Sequence, residues 1–332
     1  MTNDNSVLSV HNLKKWFPVR LGFFQSLIKG EKLFVKAVDG ISFDLMKGEI
    51  FGLVGESGSG KTTTGRTVLK LIEPTSGKII FKGKDITNLS PKEMRPLRKK
   101  MQIIFQDPYE SLNPKMLVGD IIGEPLRIQS AGHPSEIEEK VLKILEEVDL
   151  VPPEEFYYRY PHELSGGQRQ RVAVARAFVV DPEFVVADEP VSMLDVSIRA
   201  SVLKLMLELV RERSVSFLYI THDLALARHF CDRIAVMYLG KMMEQASSDE
   251  LVKNPLHPYT EALLQAVPVP DPTSRRIKVV IKGEIPSAIN PPSGCRFHTR
   301  CPKYLGDICK QKEPPLVEVG KGHFVACHLY DE

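Results

Sequence analysis

GESGSGKT, residues 55–62, decides the fold prediction. The stretch fits the pattern G-x-x-x-x-G-K-[ST] and stands between an apolar run that predicts a strand, EIFGLVG, and a segment that predicts a helix over residues 61–72. Glycines let such a loop turn tightly, so that backbone N–H groups and the helix N-terminus surround phosphate oxygens. Lys61 supplies positive charge to the β- and γ-phosphates, and the Thr62 hydroxyl is placed to bind Mg²⁺. The residues expected at the phosphates are Gly55, Glu56, Ser57, Gly58, Ser59, Gly60, Lys61, Thr62 and Thr63.

A second motif for nucleotide chemistry ends a later apolar strand, FVVADE at residues 184–189. Asp188, at the carboxyl end of such a strand, is placed to hold Mg²⁺. Glu189 would then face the γ-phosphate and polarise the attacking water as a general base. Two solvated acids that cap the next helix would explain the same letters. The phosphate loop earlier in the chain favours the catalytic interpretation.

The pattern of elements around these motifs predicts an α/β protein. Residues 1–54 include two alternating strands, which favour a half-exposed antiparallel sheet. Residues 107–165 contain amphipathic segments such as IEEKVLKILEEV and predict a helical subdomain. Residues 166–240 alternate helices with apolar strands, as in a parallel sheet covered by helices. Prolines accumulate near Val267, so we expect a boundary there, followed by a small, loop-rich appendage without a large core.

Composition excludes several classes of protein. The 332 residues carry a net charge of +2, with 43% hydrophobic and 26% charged residues, which is typical of a globular protein and gives no strong field toward nucleic acid. No uncharged apolar run approaches the roughly 18 residues that span a bilayer. The first residues, MTNDNSVLSV, lack the pattern of a secretory signal, and five cysteines in a chain without one favour a reducing cytosol.

Four of the five cysteines lie in the proline-rich end of the chain, with the spacing C-x5-C-x7-C-x17-C. They are Cys295, Cys301, Cys309 and Cys327. This spacing predicts a thiolate metal site and favours an iron–sulfur cluster over a zinc ribbon, which has tighter cysteine pairs, but it leaves both open. The alternative ligands are His298, His323 and His328. Two disulfides are the competing explanation, which a cytosolic setting disfavours, and Cys231 is expected to fill the core.

Between the two nucleotide motifs lies LSGGQ, residues 164–168, and with it the chain resembles the ATP-binding-cassette (ABC) ATPases. Other segments resemble the family's motifs in the family's order. Gln106 in MQIIFQDP resembles the Q-loop glutamine, and His222 in THD resembles the switch histidine. SMLD at residues 192–195 resembles the D-loop, although Met193 stands where the family usually has alanine. The resemblance extends over most of the chain.

The resemblance implies a P-loop RecA-like core, an antiparallel β subdomain and a helical signature subdomain at about residues 107–165. It assigns residues 1–266 to a nucleotide-binding domain and residues 267–332 to a C-terminal extension that would bind metal. Phe17 in LKKWFP matches the aromatic position that stacks on adenine, with Trp16 as the neighbouring candidate.

The family also implies roles for the site residues. The signature residues would act in trans on ATP held by a facing subunit, so that two ATP molecules join two such chains. These residues are Ser165, Gly166, Gly167 and Gln168. The implied catalytic residues are Glu189, His222, Gln106 and Lys61, and the implied Mg²⁺ ligands are Thr62, Gln106 and Asp188. Rate enhancement would come from positioning and charge stabilisation.

A narrower resemblance covers nearly the whole chain. GEIPSAINPPSGCRFHTRCP at residues 283–302 and HPYTEALLQAVPVPDP at 257–272 are similar to the ATPase subunits of oligopeptide and dipeptide importers, and DEPVSMLDVSIRA is similar to their F-type subunit. This implies an ATPase that drives peptide uptake on the cytoplasmic face of the membrane, with ATP, Mg²⁺ and a [4Fe–4S] cluster on the four C-terminal cysteines. The implied partners are a second, homologous ATPase subunit in a heterodimer, two transmembrane permease subunits and, indirectly, a peptide-binding protein, but no nucleic acid.

Other functions stay open at this point. Related importers carry nickel, glutathione or oligosaccharides, and a soluble ABC ATPase could act on nucleic acid or ribosomes, although the net charge of +2 disfavours that. A non-catalytic module is disfavoured because every motif residue is present. The insertion at residues 19–36 mixes phenylalanines with lysines, and it would rest on the membrane interface or a membrane subunit, or pack on its own domain.

Overall fold

The structure is a computed structural model that describes residues 5–19, 33–129, 132–266, 281 and 283–331. Most of the insertion, residues 20–32, lies outside the described residues. The same holds for residues 267–280, where the sequence predicts the start of the C-terminal extension. Within the described ranges, no helix combines the length and the apolar character needed to cross a bilayer.

In the described part of the chain, the centre of the molecule is an eight-stranded mixed sheet. Five neighbouring strands run parallel, and three more extend one edge in antiparallel pairing. In spatial order the strands are β11 (Val317–Gly320), β12 (His323–Val325), β10 (Lys241–Ser247), β9 (Arg233–Tyr238), β3 (Ile50–Val54), β8 (Ser216–Thr221), β7 (Phe184–Asp188) and β6 (Met101–Ile104). The parallel strands are joined by helical crossovers, as the alternating sequence pattern predicts.

The parallel strands are buried on both faces, which explains their nearly continuous apolar sequences. All five residues of β3 and all five of β7 are buried. Successive side chains of a strand point to opposite faces. Accordingly, Val185 of β7 packs into one hydrophobic core, and Val186 packs into another on the opposite face of the sheet.

A smaller antiparallel sheet covers one of these cores. Its strands in spatial order are β2 (Phe34–Met46), β1 (Ser6–Pro18), β4 (Ser76–Phe81) and β5 (Lys84–Asp85). Leu8, Val10 and Leu13 of β1 are fully buried in the core that also contains Leu53 of β3. The half-exposed antiparallel sheet predicted for the first part of the chain therefore packs one face against the central sheet.

The helices lie in the order that the sequence pattern predicts. They are α1 (Lys61–Val68), α2 (Pro91–Arg98), α3 (Pro108–Ser111), α4 (Val118–Ile128), α5 (Pro134–Glu147), α6 (Pro153–Tyr157), α7 (Gly166–Phe178), α8 (Val196–Glu212), α9 (Leu224–Phe230), α10 (Ser248–Lys253), α11 (Pro258–Ala266) and α12 (Asp307–Gln311). A short 3₁₀ helix, Pro161–Glu163, precedes α7. Helices α3 to α6 occupy the segment for which the sequence predicts a helical subdomain, and α4 to α6 share the larger core with α7 and α8.

Helix α1 ends earlier than the sequence predicts. The pattern predicts a helix over residues 61–72, but the helix stops at Val68 and Lys70 adopts a left-handed backbone with φ 53°. The Arg98 guanidinium donates hydrogen bonds to the carbonyl oxygens of Leu69 and Lys70. Arg98 belongs to a distant segment, and it satisfies the carbonyl groups that follow the helix. The end of α1 at Val68 therefore cannot be predicted from residues 61–72 alone.

The described part of the C-terminal extension differs from the expected separate appendage. Strand β12 pairs with β10, placing Val325 opposite Glu244, and so the extension continues the central sheet. Phe297 is fully buried and belongs to the larger core. His323 Nε2 lies 2.8 Å from Glu244 Oε1 in a buried pair. This part of the chain therefore shares the larger core and the central sheet with segments far from it in sequence.

His257 is a buried histidine that links pH to stability. It is 1% exposed, and its ring nitrogen Nδ1 accepts a hydrogen bond from Tyr259 N at 3.0 Å. Burial lowers the pKa of His257 to about 4, although the carboxylate of Glu244 opposes this shift. As pH falls below the ordinary histidine pKa, His257 binds a proton in the unfolded chain but stays neutral in the folded chain. This contribution to stability is therefore present above about pH 6.5 and is lost as pH falls toward 4.

We expect His257→Asn to reduce the loss of stability in acid. In the parent protein this group should remove about 3 kcal/mol of unfolding free energy between pH 7 and pH 4. Urea unfolding of both proteins across this pH range measures the difference. His11→Asn, at an exposed histidine, is the matched control and should keep the parent's pH dependence. Equal pH dependence in the parent and His257→Asn would contradict this assignment.

Candidate nucleotide site

The predicted nucleotide residues meet at one edge of the central sheet. The phosphate loop, residues 55–60, follows β3, Glu189 follows β7, and His222 follows β8. Gln106 lies two residues after β6. These four strands run parallel, so their carboxyl ends share one edge, which is where nucleotides bind in open α/β sheets.

A cavity of about 960 Å³ opens at this edge. Among the predicted residues, those that line it are Phe17, Glu56, Ser57, Gly58, Gly60, Lys61, Thr62, Thr63, Gln106, Glu189 and His222. The lining also includes residues that sequence reasoning missed: Val35, Ala37, Leu263, Ala266, Ile285 and Ala288. These six are mostly apolar, and they come from β2, from α11 and from the C-terminal extension. No motif marks them, because apolar lining residues obey no spacing rule.

Lys61 lies at the centre of the phosphate loop. Its ammonium donates hydrogen bonds to the carbonyl oxygens of Gly55 at 2.7 Å and Glu56 at 3.0 Å. Burial lowers the pKa of Lys61, and the carboxylates of Glu189, Asp188 and Glu56 oppose that shift. A phosphate group bound in the loop would add negative charge beside the ammonium and favour its protonated form.

Thr62 and Asp188 form the pair expected to hold Mg²⁺. The Thr62 hydroxyl donates to Asp188 Oδ1 at 2.8 Å, which joins the start of α1 to the end of β7. Burial is the main cause that raises the pKa of Asp188, and the hydrogen bond from Thr62 acts in the opposite direction. Hydroxyl and carboxylate oxygens are ligands that Mg²⁺ prefers, so this donor set fits the cation.

Glu189 is the meeting point of the catalytic candidates. Its Oε2 lies 3.0 Å from His222 Nδ1 and 3.4 Å from Gln106 Nε2. Glu189 adopts a left-handed backbone with φ 45°, and its N–H donates to Ile220 O at 2.9 Å. This bond to β8 holds a conformation that costs a non-glycine residue about 1–2 kcal/mol. The backbone therefore turns the carboxylate toward the histidine and the glutamine.

The signature residues lie apart from this cavity. Ser165 caps α7: its hydroxyl accepts from Gln168 N at 3.3 Å, while Gln168 Oε1 accepts from Ser165 N at 2.9 Å. Ser165 is exposed, and none of residues 165–168 lines the cavity. Ser165 at the start of α7 is therefore exposed away from the cavity of its own chain.

The two aromatic candidates for adenine take different positions. Phe17 is 37% exposed and lines the cavity. The Trp16 indole donates to Asp39 Oδ1 at 3.0 Å, and the ammonium of Lys36 lies 4.9 Å from its ring centre. Because neighbouring side chains of a strand point to opposite faces, only one of the two can face the cavity.

The four C-terminal cysteines are free thiols. Cys295, Cys309 and Cys327 are buried and Cys301 is half-buried. Burial raises the pKa of Cys295 to about 12 and that of Cys301 to about 11, and in both cases the neighbouring cysteines add to the rise. Cys231 is buried in the larger core and stands apart from this group, as expected. Over the described ranges, no group of three or more His, Cys, Asp or Glu side chains is arranged to hold a metal ion, so the structure does not show the metal site that the sequence predicts.

The three alternative histidine ligands are engaged elsewhere. His298 Nδ1 lies 2.8 Å from Cys295 O, and His323 Nε2 is paired with Glu244. His328 Nε2 lies 2.8 Å from Lys312 O, and its Nδ1 contacts the Asp331 carboxylate. Both ring nitrogens of His328 are thus occupied by oxygen partners.

The sequence matches two protein families. Residues 38–192 match the family described as ABC transporter. Residues 243–309 match the family described as oligopeptide/dipeptide transporter, C-terminal region. The second match includes Cys295, Cys301 and Cys309 and ends before Cys327.

Curated relatives match along almost the whole chain. The oligopeptide transport ATP-binding protein AppF of Bacillus subtilis is 52% identical over 331 residues, covering 99% of this chain and 98% of the relative. The putative peptide import ATP-binding protein BOV_A0347 of Brucella ovis is 50% identical over 324 residues, covering 98% of each chain.

Solved structures match the larger part of the chain. The dimeric ATP-binding cassette MJ0796, in a post-hydrolysis state with ADP and Pi, is 27% identical with a TM-score of 0.63, and the match covers 73% of this chain and 98% of that one. The cbiO1 protein of Clostridium perfringens, part of the ABC transporter complex cbiONQ, is 27% identical with a TM-score of 0.63, covering 75% and 92% of the two chains.

We expect Gly60→Ala to destabilise the protein far more than Gly58→Ala. Both residues have positive φ, 103° and 78°, so each alanine carries the backbone cost of about 1–2 kcal/mol. A Cβ on Gly60 would also lie 2.0 Å from the Ala37 carbonyl oxygen, whereas a Cβ on Gly58 meets nothing within 4 Å. Thermal unfolding midpoints without nucleotide measure the two effects. Equal decreases in midpoint would contradict the close contact between the loop and β2.

Proposed function

Because the chain belongs to the ABC transporter ATPase family, in the group that carries the oligopeptide/dipeptide transporter C-terminal region, we propose that it drives the import of di- and oligopeptides. The chain is an ATPase of this family, and the proposal concerns the substrate whose import it drives. The observation that carries the proposal is the similarity to AppF of Bacillus subtilis, which is named for oligopeptide transport and matches over 99% of this chain.

The phosphate loop holds the ATP phosphates in this proposal. Its N–H groups and the Lys61 ammonium neutralise the β- and γ-phosphates. Thr62, Asp188 and Gln106 would hold Mg²⁺, which would neutralise phosphate charge. Phe17 would stack on the adenine, since it lines the same cavity together with apolar residues from β2 and α11.

Glu189 is the general base. Its carboxylate accepts a proton from the attacking water as the water adds to the γ-phosphorus and the bond to the bridging oxygen breaks. His222 and Gln106 hold the carboxylate and the water in line, since both side chains contact the same Glu189 oxygen. The reaction consumes ATP and water and yields ADP and phosphate. Most of the rate enhancement comes from this positioning.

A second ATPase chain completes each site. In this proposal, Ser165 to Gln168 of one chain would face the γ-phosphate held by the other. Their position outside the cavity of their own chain supports this role. Met193 in the D-loop segment and Val196 at the start of α8 are 62% and 80% exposed, and such exposed apolar side chains fit a partner subunit. We propose a heterodimer with a homologous subunit in the working complex.

The helical subdomain docks on the membrane subunits in this proposal. Exposed apolar and aromatic side chains are frequent there: Tyr109, Ile128, Val151, Tyr158 and Tyr160. Such side chains are typical of interfaces. Two permease subunits would hold the ATPases at the cytoplasmic face of the membrane, and a peptide-binding protein would deliver cargo on the other side. Residues 20–32 remain a further candidate for membrane contact and lie outside the described residues.

We propose that the four C-terminal cysteines bind a [4Fe–4S] cluster, which would act as a structural support of the extension. The spacing C-x5-C-x7-C-x17-C supports this proposal, because a zinc ribbon has tighter cysteine pairs, whereas a [4Fe–4S] cluster binds each thiolate through a different iron.

Glu189→Gln should abolish turnover and keep nucleotide binding. The amide cannot accept the proton, so we expect ATPase activity to fall by about 10²- to 10⁴-fold while an ATP-bound dimer accumulates on size-exclusion chromatography. In cells that carry this variant, uptake of labelled tripeptides should be lost, while uptake of nickel, glutathione and oligosaccharides should not change.

Glu183→Gln is the matched control, because Glu183 lies at the opposite end of β7 and pairs with Lys82 and Lys100. Its turnover should equal that of the parent. Equal turnover in Glu189→Gln would refute Glu189 as the base. If cells with Glu189→Gln lost uptake of nickel, glutathione or oligosaccharides but kept normal peptide uptake, the peptide assignment would be wrong. The assignment of the chain as an ATPase would still hold.

Protein purified without oxygen should contain about four iron and four sulfide per chain, with a visible absorption band that bleaches on reduction. Metal and acid-labile sulfide analysis measures this directly. Cys309→Ser should lose the iron, and Cys231→Ser, at the cysteine in the core, should retain it. Stoichiometric zinc, or no metal in anaerobic protein, would contradict the cluster.

A further inference from the structure

The C-terminal extension reaches the phosphate loop directly. Arg300 binds the Glu56 carboxylate with both terminal nitrogens, Nη1 to Oε2 at 2.7 Å and Nη2 to Oε1 at 3.2 Å. Arg300 is 9% exposed, and Glu56 is the second residue of the GESGSGKT loop. This bidentate geometry is the strongest form of an arginine–carboxylate contact. The two residues are 244 positions apart in the chain.

Two tyrosines fix this contact from the nucleotide-binding domain. The Tyr238 hydroxyl lies 3.3 Å from Arg300 Nη1, and the Tyr259 hydroxyl accepts from Glu56 N at 2.9 Å. The Lys61 ammonium binds the Glu56 carbonyl oxygen from the other side. The backbone and the side chain of Glu56 are therefore both held, and one of the partners belongs to the extension.

A second arginine of the same turn is paired with strand β2 beside the cavity. Arg296 Nη2 binds Asp39 Oδ2 at 2.6 Å in a buried pair, and the other oxygen of Asp39 accepts from Trp16. Asp39 belongs to β2, whose Val35 and Ala37 line the cavity. The extension thus contacts both the phosphate loop and a strand that lines the nucleotide cavity.

Glu56 would oppose nucleotide binding without its partner. Glu56 lines the cavity proposed to bind ATP, so an unpaired carboxylate at this position would repel the phosphates. We propose that Arg300 is a positioning residue for ATP binding, which neutralises Glu56 and holds the phosphate loop in its binding conformation. This inference rests on the proposed use of that loop to bind ATP phosphates.

Backbone hydrogen bonds hold the turn that carries Arg300. Arg296 and Arg300 lie between Cys295 and Cys301, where Cys295 N donates to Cys309 O at 2.9 Å and Cys301 N donates to His298 O. Arg300 therefore reaches Glu56 from a turn that is fixed within the extension.

The test is a double-mutant cycle on the full chain, purified without oxygen, with a fluorescent ATP analogue and Mg²⁺. Arg300→Ala should weaken binding of the analogue by roughly 10- to 100-fold, as expected for a lost hydrogen-bonded charge pair. Arg300→Lys keeps the charge and should recover most of the affinity. In the Glu56→Gln background, Arg300→Ala should have little effect, because no carboxylate is left to repel the phosphates.

Lys303→Ala is the matched control, since Lys303 lies in the same segment but pairs with Glu261 on the surface. It should bind the analogue as the parent does. A tenfold or larger loss in Arg300→Ala that persists in the Glu56→Gln background would overturn the proposal and indicate a general packing defect. Parent-like binding by Arg300→Ala would also overturn it. Lys61→Ala distinguishes a failure of the proposed nucleotide site from a failure of the role of Arg300. If Lys61→Ala binds the analogue normally, the nucleotide site itself is misassigned. If Lys61→Ala does not bind the analogue, the site is correct and the other variants test only the role of Arg300.

Discussion

The nucleotide site depends on the close packing of the phosphate loop against the backbone of two other segments. A Cβ on Gly60 would lie 2.0 Å from the Ala37 carbonyl oxygen, and one on Gly55 would lie 2.2 Å from that of Met237. Gly240 N then donates to Ser59 O at 2.9 Å. The loop is held between β2 and the end of β9 by contacts that only glycine allows. Its N–H groups are thereby arranged before any nucleotide binds, which lowers the ordering cost of binding.

The catalytic candidates at the ends of β7 and β8 are positioned in a different way from the phosphate loop. The side chains of Glu189 and His222 are aimed by backbone pairing within a parallel sheet, where neighbouring strands end at the same level. Glu189 leaves the β conformation as soon as its strand ends, and the bond of its N–H to Ile220 O ties that turn to the neighbouring strand. Binding of phosphates and activation of water are therefore positioned by separate parts of one sheet. Movement of one strand end would alter the geometry of hydrolysis without removing the phosphate site.

Sequence alone predicts the parts of this site that are local in the chain. GESGSGKT and FVVADE can be read because their residues are consecutive and each motif has its own strand. Sequence does not choose between Trp16 and Phe17, since the choice depends on which face of β1 meets the cavity. It also cannot find the contact between Arg300 and Glu56, because no spacing rule joins residues so far apart. The strands β11 and β12 are too short to show a period of two, so the continuation of the sheet into the extension was not expected.

The pairing of β12 with β10 has a consequence for solubility. A strand at the margin of a sheet offers unsatisfied N–H and C=O groups to any other extended chain, and natural proteins cover or shorten such margins. Here the extension places a seven-residue strand inside the sheet and leaves β11, four residues with an exposed glutamate, Glu318, as the new margin. Strands β11 and β12 thus block intermolecular pairing at β10. A protein shortened before β11 would present the open side of β10 to its neighbours, and self-association would compete with assembly into the transporter.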